Sequence, residues 1–280
     1  MNISIENLII YGINELEKGN IENAKIKTKI LLAFLMNKNT EYLIFNKNEI
    51  VGNKIVKQYK KEIHKMKYGK PLQYITHTQQ FMGLSFYVNK HVLIPRFDTE
   101  ILIDEIINQN IEKENLAILD MCTGSGAIAI SLSKKLKNSS IYAADISLKA
   151  LKVAKKNNKT NNTKVEFIRS NMFSNILEKK FDIIVSNPPY IKTKIINKLN
   201  KDVKKEPKIA LNGGKDGLKY YKILANNAYK HIKPNGMLAL EIGFDQKEEI
   251  IKILESTNQY KNIICKKDFA GNDRIILCNI

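Results

Sequence analysis

The sequence predicts an α/β architecture: a mostly parallel, Rossmann-like sheet of seven strands with helices on both faces, preceded by a small helical domain and a β-hairpin linker. Three observations predict it. Short β-branched runs alternate with helix-spaced apolar patterns through the second two-thirds of the chain, as in a parallel sheet covered on both sides. The first part of the chain, to about Lys67, shows helical spacing only. Between the two regimes stands Gly69-Lys70-Pro71, which punctuates the change. The expected division is a helical domain over 1–70, a hairpin linker over 71–92 and the sheet domain over 93–280.

The helical domain rests on Leu8, Ile9 and Ile13, then on Ala24, Ile30, Leu31, Phe34 and Leu35, and last on Val56, Ile63 and Met66. Gly19-Asn20 and the polar stretch from Asn37 to Thr40 break it into pieces. His64 reads as a surface helix residue, since no second ligating group accompanies it. Phe81-Met82 and Ser85-Phe86-Tyr87-Val88 flank Gly83 like a short hairpin. The segment from Val92 to Glu100 then opens a helix from Ile101 to Asn108, with Thr99 or Asp98 as its expected cap. An Arg and two carboxylates beside a proline turn also fit a segment folded over a ligand pocket.

In the sheet domain the expected strands are Ala117 to Met121, Ile141 to Asp145, Val165 to Ile168, Phe181 to Ser186, Met237 to Glu241, Ile263 to Cys265 and Arg274 to Cys278. Helices read from Gly126 to Leu136, Ser147 to Asn157, Lys219 to His231 and Gln246 to Glu255. A long Lys-rich insertion runs from Ile191 to Gly217, where a substrate would approach.

Composition narrows the class. The chain has 280 residues, 44% hydrophobic and 26% charged, which is ordinary for a globular protein. Its 46 Lys+Arg against 28 Asp+Glu give a formal charge of +18. Such a surplus favours weak, salt-sensitive attraction to nucleic acid or the ribosome. Lysines spread along the chain over solvated faces account for it somewhat better, because runs such as Lys60-Lys61 and Lys266-Lys267 are short. Cys122, Cys265 and Cys278 are too scattered for a metal site or a disulfide framework, which fits a reducing cytoplasm. The N-terminus lacks the basic region and apolar core of a signal peptide, and the apolar run from Ile30 to Met36 is too short to span a membrane. The expectation is a cytoplasmic protein without a membrane partner.

Two motifs carry the chemistry. Asp120-Met121-Cys122-Thr123-Gly124-Ser125-Gly126 follows the first strand and opens the first helix, where glycines admit a ligand close to unpaired backbone N–H groups. Asp145 ends the second strand about 20 residues later, the spacing at which a carboxylate accepts from ribose hydroxyls. Together they indicate an adenosine-containing ligand. Gly124 to Ala129 also satisfies a dinucleotide fingerprint, but no placed His or Tyr serves as a hydride-transfer acid. Asp120 suits a ligand with a positive amino acid end better than a pyrophosphate.

The second motif is Asn187-Pro188-Pro189-Tyr190, which stops the strand Phe181 to Ser186. The prolines cannot donate to a ladder and hold the chain extended with free carbonyls. With the Asn187 amide and the Tyr190 ring, the motif offers acceptors and an aromatic wall to a planar group bearing NH2. S-adenosylmethionine satisfies both motifs, with its adenosine at Asp145, its ammonium near Asp120 and its methyl facing whatever Asn187 holds.

These motifs resemble the protein-(glutamine-N5) methyltransferases that modify peptide chain release factors. The likeness covers nearly the whole chain, including Pro71 to Ile75, Phe81 to Leu84, Leu93 to Glu100, Asp120 to Ile128, Val185 to Tyr190, Glu206-Pro207, Gly213 to Leu218, Leu240 to Gly243 and Asp268 to Arg274. The resemblance implies a methyltransferase fold, S-adenosylmethionine as cofactor and the glutamine of a Gly-Gly-Gln loop as methyl acceptor. It implies cofactor contacts from Cys122, Thr123, Gly124, Ser125, Gly126, Asp145, Met172 and Asn187, and a glutamine held catalytically by Asn187, Pro188, Pro189 and Tyr190, with the helical domain helping to dock the release factor. Departures fall at Cys122, a usual glycine that fits if its φ is negative, and at Asn171, Met172, His77 and Phe97. Three rivals stay open: a glutamine methyltransferase for a ribosomal protein, an adenine-N6 methyltransferase, and a non-catalytic RNA-binding protein with a relic cofactor pocket. No aromatic-interleaved basic stretch supports a grip on single strands.

Overall fold

The helix-spaced apolar residues near the N-terminus close on one another in the computed structural model, which describes residues 3–176 and 178–280. They belong to the first of two units, Met1–His77 with Leu199–Lys205; the second is Thr78–Lys198 with Glu206–Ile280.

In the first unit β1 (Ile3–Ser4) pairs antiparallel with β2 (Ile50–Val51). Between them run α1 (Ile5–Lys18), α2 (Ala24–Met36) and α3 (Thr40–Phe45), and α4 (Asn53–Lys67) and α5 (Gln73–Thr76) follow. Ser4 caps α1, its hydroxyl oxygen accepting from the Asn7 N–H at 3.3 Å. Leu8 and Leu16, Leu31 and Leu32, and Tyr59 and Ile63 are completely buried at the core of this unit. Helix α2 turns differently from its apolar pattern: Thr28 is buried, whereas Ile30 and Phe34 are 39% and 46% exposed. Residues 199–205 come from the long insertion. Asp202 accepts from Lys27 Nζ at 3.1 Å, and Lys201 Nζ donates to the Gly19 carbonyl at 3.0 Å.

The second unit opens with the hairpin β3 (Thr78–Phe81) and β4 (Leu84–Tyr87), followed by α6 (Asp98–Asn110). Then come β5 (Ala117–Met121), α7 (Ala127–Lys135), β6 (Ser140–Asp145), α8 (Leu148–Thr160), β7 (Val165–Arg169) and β8 (Phe181–Ser186). The insertion holds 3-10 turns at Thr193–Lys198 and Val203–Lys205 and the short α9 (Lys208–Leu211). The chain ends with α10 (Lys219–Asn227), β9 (Ile232–Glu241), α11 (Lys247–Glu255), β10 (Lys261–Lys267) and β11 (Asp273–Asn279).

The seven-stranded sheet has the order β10-β11-β9-β8-β5-β6-β7, and β11 alone among its described strands runs against the others. Alternate residues feed two apolar layers. Ile118, Ile183 and Val185 face the layer of α6 and α7, while Leu119, Met121 and Ile184 face that of α10 and α11. The expected helix Lys219 to His231 is α-helical only to Asn227 and finishes as a 3-10 turn over Ala228–His231. The expected strand from Met237 begins earlier, at Ile232, because Phe181 and Ile232 also pair across a register shift. No helix among the described residues is long and apolar enough to cross a membrane.

The domain boundaries differ from those expected. Leu72 and Ile75 pack into the first unit, which carries its edge past residue 70 to His77. The hairpin is no free linker, since Phe81 and Phe86 are buried with Ile103 and Ile106 of α6. Asn157 of α8 completes the attachment: its Oδ1 accepts from Tyr87 N–H at 2.7 Å, and its Nδ2 donates to the carbonyls of Tyr87 at 3.0 Å and Ser125 at 2.9 Å. Asn157 is completely buried, so Asn157→Leu removes three hydrogen bonds to backbone and is expected to lower the unfolding free energy by about 3 kcal/mol in urea titration. Amide exchange at Tyr87 is expected to accelerate in the same variant.

Candidate active site

Strand β5 lies between β6 and β8, with Met121 opposite Ala144 on one side and Ser186 on the other. The strand order reverses here, and such switch points open a crevice beyond the carboxyl ends of the strands. Ser186 Oγ donates to the Met121 carbonyl at 2.6 Å and pins the two tips together. Past them the chains diverge around a cleft with about 710 Å³ of empty space, its mouth included. Cys122, Gly124 and Asp145 line one side, Met172 another, and Asn187 and Pro189 the side facing them.

The glycine loop is held from beneath. Asp120 Oδ2 accepts from Thr123 Oγ1 at 2.5 Å and from the Ala129 N–H at 3.2 Å. Its Oδ1 is buried without a partner among the described residues. Burial pushes the Asp120 carboxyl from its ordinary 3.8 up to about 7. The expectation that Asp120 lies beside a ligand's ammonium is therefore corrected: it is completely buried and does not line the cleft. Thr123 and Ser125, 6% and 4% exposed, and Gly126, which precedes α7, likewise shape the loop without lining the cleft.

Asp145 does line it. Its Oδ2 accepts from Gly124 N–H at 2.9 Å and its Oδ1 from Ser147 N–H at 2.8 Å, which fixes the carboxylate and leaves each oxygen a further lone pair. Burial holds this carboxyl above its ordinary range. A Cβ on Gly124 would meet nothing nearer than the Cys122 carbonyl oxygen at 4.0 Å, so the glycine leaves a cradle open beside Asp145. The cradle, the anchored carboxylate and an apolar floor that includes Met172 and Ala150 fit an adenosine-bearing cofactor.

Cys122 has φ +68°, not the negative φ expected of a non-glycine there. The left-handed region costs an L-residue about 1–2 kcal/mol. Met172 is also left-handed, at φ +49°, and the two sulfurs meet at 3.8 Å.

On the other side, Asn187 Nδ2 donates to Thr99 Oγ1 at 3.2 Å, and Thr99 Oγ1 donates to Glu241 Oε2 at 2.5 Å. Because the Thr99 proton goes to Glu241, the hydroxyl receives Asn187 through a lone pair, and Asn187 Oδ1 is left for the cleft. The Tyr190 hydroxyl donates to Glu241 Oε1 at 3.4 Å. Tyr190 and Pro188 do not line the cleft; the aromatic that does is Tyr220. Thr99 is thus no helix cap: the N-cap position of α6 is Phe97, which makes no side-chain bond. Sequence reasoning passed over Thr99 and Glu241, although both sit inside quoted motifs as polar residues among apolar neighbours.

Two further ties shape the cleft. Glu206, buried, accepts from the Ile94 N–H at 2.9 Å and from Arg96, joining the end of the insertion to the segment that places Leu93 at the cleft. Gln246 Nε2 donates to the carbonyls of Tyr190 at 3.1 Å and Gly217 at 3.3 Å. Gly213 packs into this knot; a Cβ there would stand 2.7 Å from Tyr190 Cα and 2.8 Å from the Pro189 carbonyl oxygen.

Comparison with known proteins places this arrangement. A model of the methyltransferase small domain matches residues 97–215, and one of the PrmC N-terminal domain matches residues 7–76. The release factor glutamine methyltransferase of Clostridium acetobutylicum is 40% identical over 98% of this chain and 98% of its own length. The chain belongs to the release factor glutamine methyltransferase family. A bifunctional methyltransferase of Rickettsia felis is 36% identical over 99% of this chain, which spans 58% of that longer protein. Among solved structures, a methyltransferase from Pyrococcus furiosus shares the fold at 19% identity, with a TM-score of 0.54 over 78% of this chain and 97% of its own.

Two outcomes follow for this methyltransferase. Gly213→Ala forces backbone rather than side chains to move, and turnover is expected to fall about tenfold or more, with unfolding free energy in urea lowered by about 1–3 kcal/mol. Asp120 holds its proton in the folded chain up to about pH 7, whereas the unfolded chain releases it near 3.8, so its contribution is full below that value and is lost as pH rises to about 7. Asp120→Asn is expected to flatten the decline of stability across that window, read from melting temperatures over the same pH range.

Proposed function

We infer that this methyltransferase transfers a methyl group from S-adenosylmethionine to the side-chain amide nitrogen of the glutamine in the Gly-Gly-Gln loop of peptide chain release factors. The observation that carries the reading is that Asn187 lines the same cleft as Gly124 and Asp145 with its Nδ2 committed to Thr99 and no partner for its Oδ1 among the described residues.

A carboxamide nitrogen is a weak nucleophile, because its lone pair is shared with the carbonyl. The protein therefore works by placement. Asn187 Oδ1 accepts an amide hydrogen of the glutamine, and this acceptor orients the nitrogen and favours the positive charge that grows on it. Fixing a reactant in this way is worth up to about 7 kcal/mol. S-adenosylmethionine, when bound, supplies a methyl group that leaves its sulfonium sulfur with the bonding pair retained by sulfur as the carbon–nitrogen bond forms. Once alkylated, the nitrogen is acidic, and its proton leaves to water without a strong base. Asp145 would hold the ribose hydroxyls, Cys122, Gly124 and Met172 would line the rest of the cofactor site with Thr123, Ser125 and Gly126 shaping the loop beneath, and Tyr190 steadies the acceptor loop from behind. The net charge of +18 adds a salt-sensitive attraction to polyanionic surroundings.

The test incubates the purified protein with labelled S-adenosylmethionine and candidate release factors, then locates the methyl by peptide sequencing. Label on the Gly-Gly-Gln glutamine is the expected result; label only on a ribosomal-protein glutamine or on adenine in nucleic acid overturns the reading. Asn187→Ala is expected to lose at least about 100-fold in single-turnover rate while binding the cofactor nearly as wild type. Asp145→Ala is expected to weaken cofactor binding about tenfold or more by calorimetry.

A further inference from the structure

We propose that Glu241, acting as an anion through the Thr99 hydroxyl, is the positioning residue that holds Asn187 with its carbonyl toward the methyl-accepting amide. The proposal rests on the glutamine-methylating reading above and concerns the same site.

The geometry is a directional chain. Asn187 and Glu241 sit on either side of one hydroxyl, at 3.2 Å and 2.5 Å from Thr99 Oγ1. A carboxylate can only accept, so an ionised Glu241 takes the Thr99 proton and the Tyr190 proton at once. Thr99 then has only a lone pair to offer Asn187, and the asparagine must present Nδ2 to it. Its Oδ1 is forced outward. A protonated Glu241 removes that constraint, because its own O–H can point at Thr99, release the threonine proton toward Asn187, and let the amide turn over. A turned Asn187 shows N–H groups to the N–H groups of the substrate glutamine, and the acceptor is lost.

The surroundings make Glu241 able to switch. It is 2% exposed on β9. Burial raises its carboxyl from the ordinary 4.5 to about 7, opposed by the Thr99 hydrogen bond, by Arg274 of β11 and by Tyr190, and reinforced by Asp98 of α6. Arg274 is itself paired with Asp268 at 3.0 Å and lies 3.7 Å from Asp98. Tyr221 of α10 donates to the Glu241 backbone carbonyl at 2.9 Å and leaves the carboxyl free. Thr99 is equally enclosed, at 4% exposed, so water does not replace it in the chain.

The experiment measures kcat and KM for release-factor methylation from about pH 6 to about pH 9, with cofactor affinity by calorimetry. Wild type is expected to lose kcat on the acid side with a single-proton slope. Glu241→Gln is expected to keep its cofactor affinity, to have a kcat at least about tenfold lower, and to show no acid limb. Thr99→Val is expected to show the same loss, and Thr99→Ser to recover kcat to within about threefold of wild type. A Glu241→Gln enzyme with wild-type kcat, or one that keeps the wild-type acid limb, overturns the proposal. If that variant does not fold, the isosteric Thr99→Val decides, and wild-type kcat in it is equally fatal. A wild-type protein that methylates no glutamine marks failure of the functional reading instead, and the two failures are told apart.

Discussion

Everything at the site depends on two parallel strands ending level with each other. Met121 and Ser186 are partners in register, and the Ser186 hydroxyl is bonded to the Met121 carbonyl. One tip therefore turns into glycines and the other into prolines at the same height. Slippage by one residue would reverse the face of every side chain on β8 and send Asn187 away from the glycine loop. Burial of Ile183, Ile184 and Val185 between two apolar layers makes such slippage costly, so the packing of the sheet is what aligns the chemistry.

Around that alignment the protein invests in buried polar groups. Asp120, Thr99, Glu206, Glu241 and Gln246 are each under 5% exposed. Four of them bond segments that lie far apart in the chain, and Asp120 braces the loop next to it. A low-dielectric setting strengthens such bonds and penalises any that are left incomplete, which makes the arrangement stiff. Stiffness is what a reaction at a weak nucleophile requires, because placement of the amide substitutes for chemical activation. The left-handed backbone at Cys122 and Met172 belongs to the same economy: local strain persists where the surrounding packing leaves no alternative.

The sequence made the sheet legible through period and punctuation. The β-branched run at Ile183 to Val185, the glycines at 124 and 126 and the paired prolines each have a local physical meaning, and their positions along the sheet follow from alternation. What escaped was non-local. Thr99 and Glu241 are 142 residues apart, and Ile94 and Glu206 are 112 apart, so no spacing rule brings either pair together. Thr99 read as a cap because a threonine near the start of a helix has that role by default. Asp120 read as a ligand contact because burial of a carboxylate at a strand end is invisible in a linear string. The hairpin read as a linker because the asparagine that fastens it, Asn157, looks like one more polar residue on a lysine-rich helix.

The return of residues 199–205 to the first unit has an evolutionary cost. Lys201 reaches the Gly19 carbonyl and Asp202 receives Lys27, so part of the helical fold is encoded inside the gene segment for the catalytic fold. A crossover placed between the two would split that set of contacts and leave both daughters with mismatched halves. The helical unit is therefore not contiguous in the gene, and its contacts reach residues more than a hundred codons downstream.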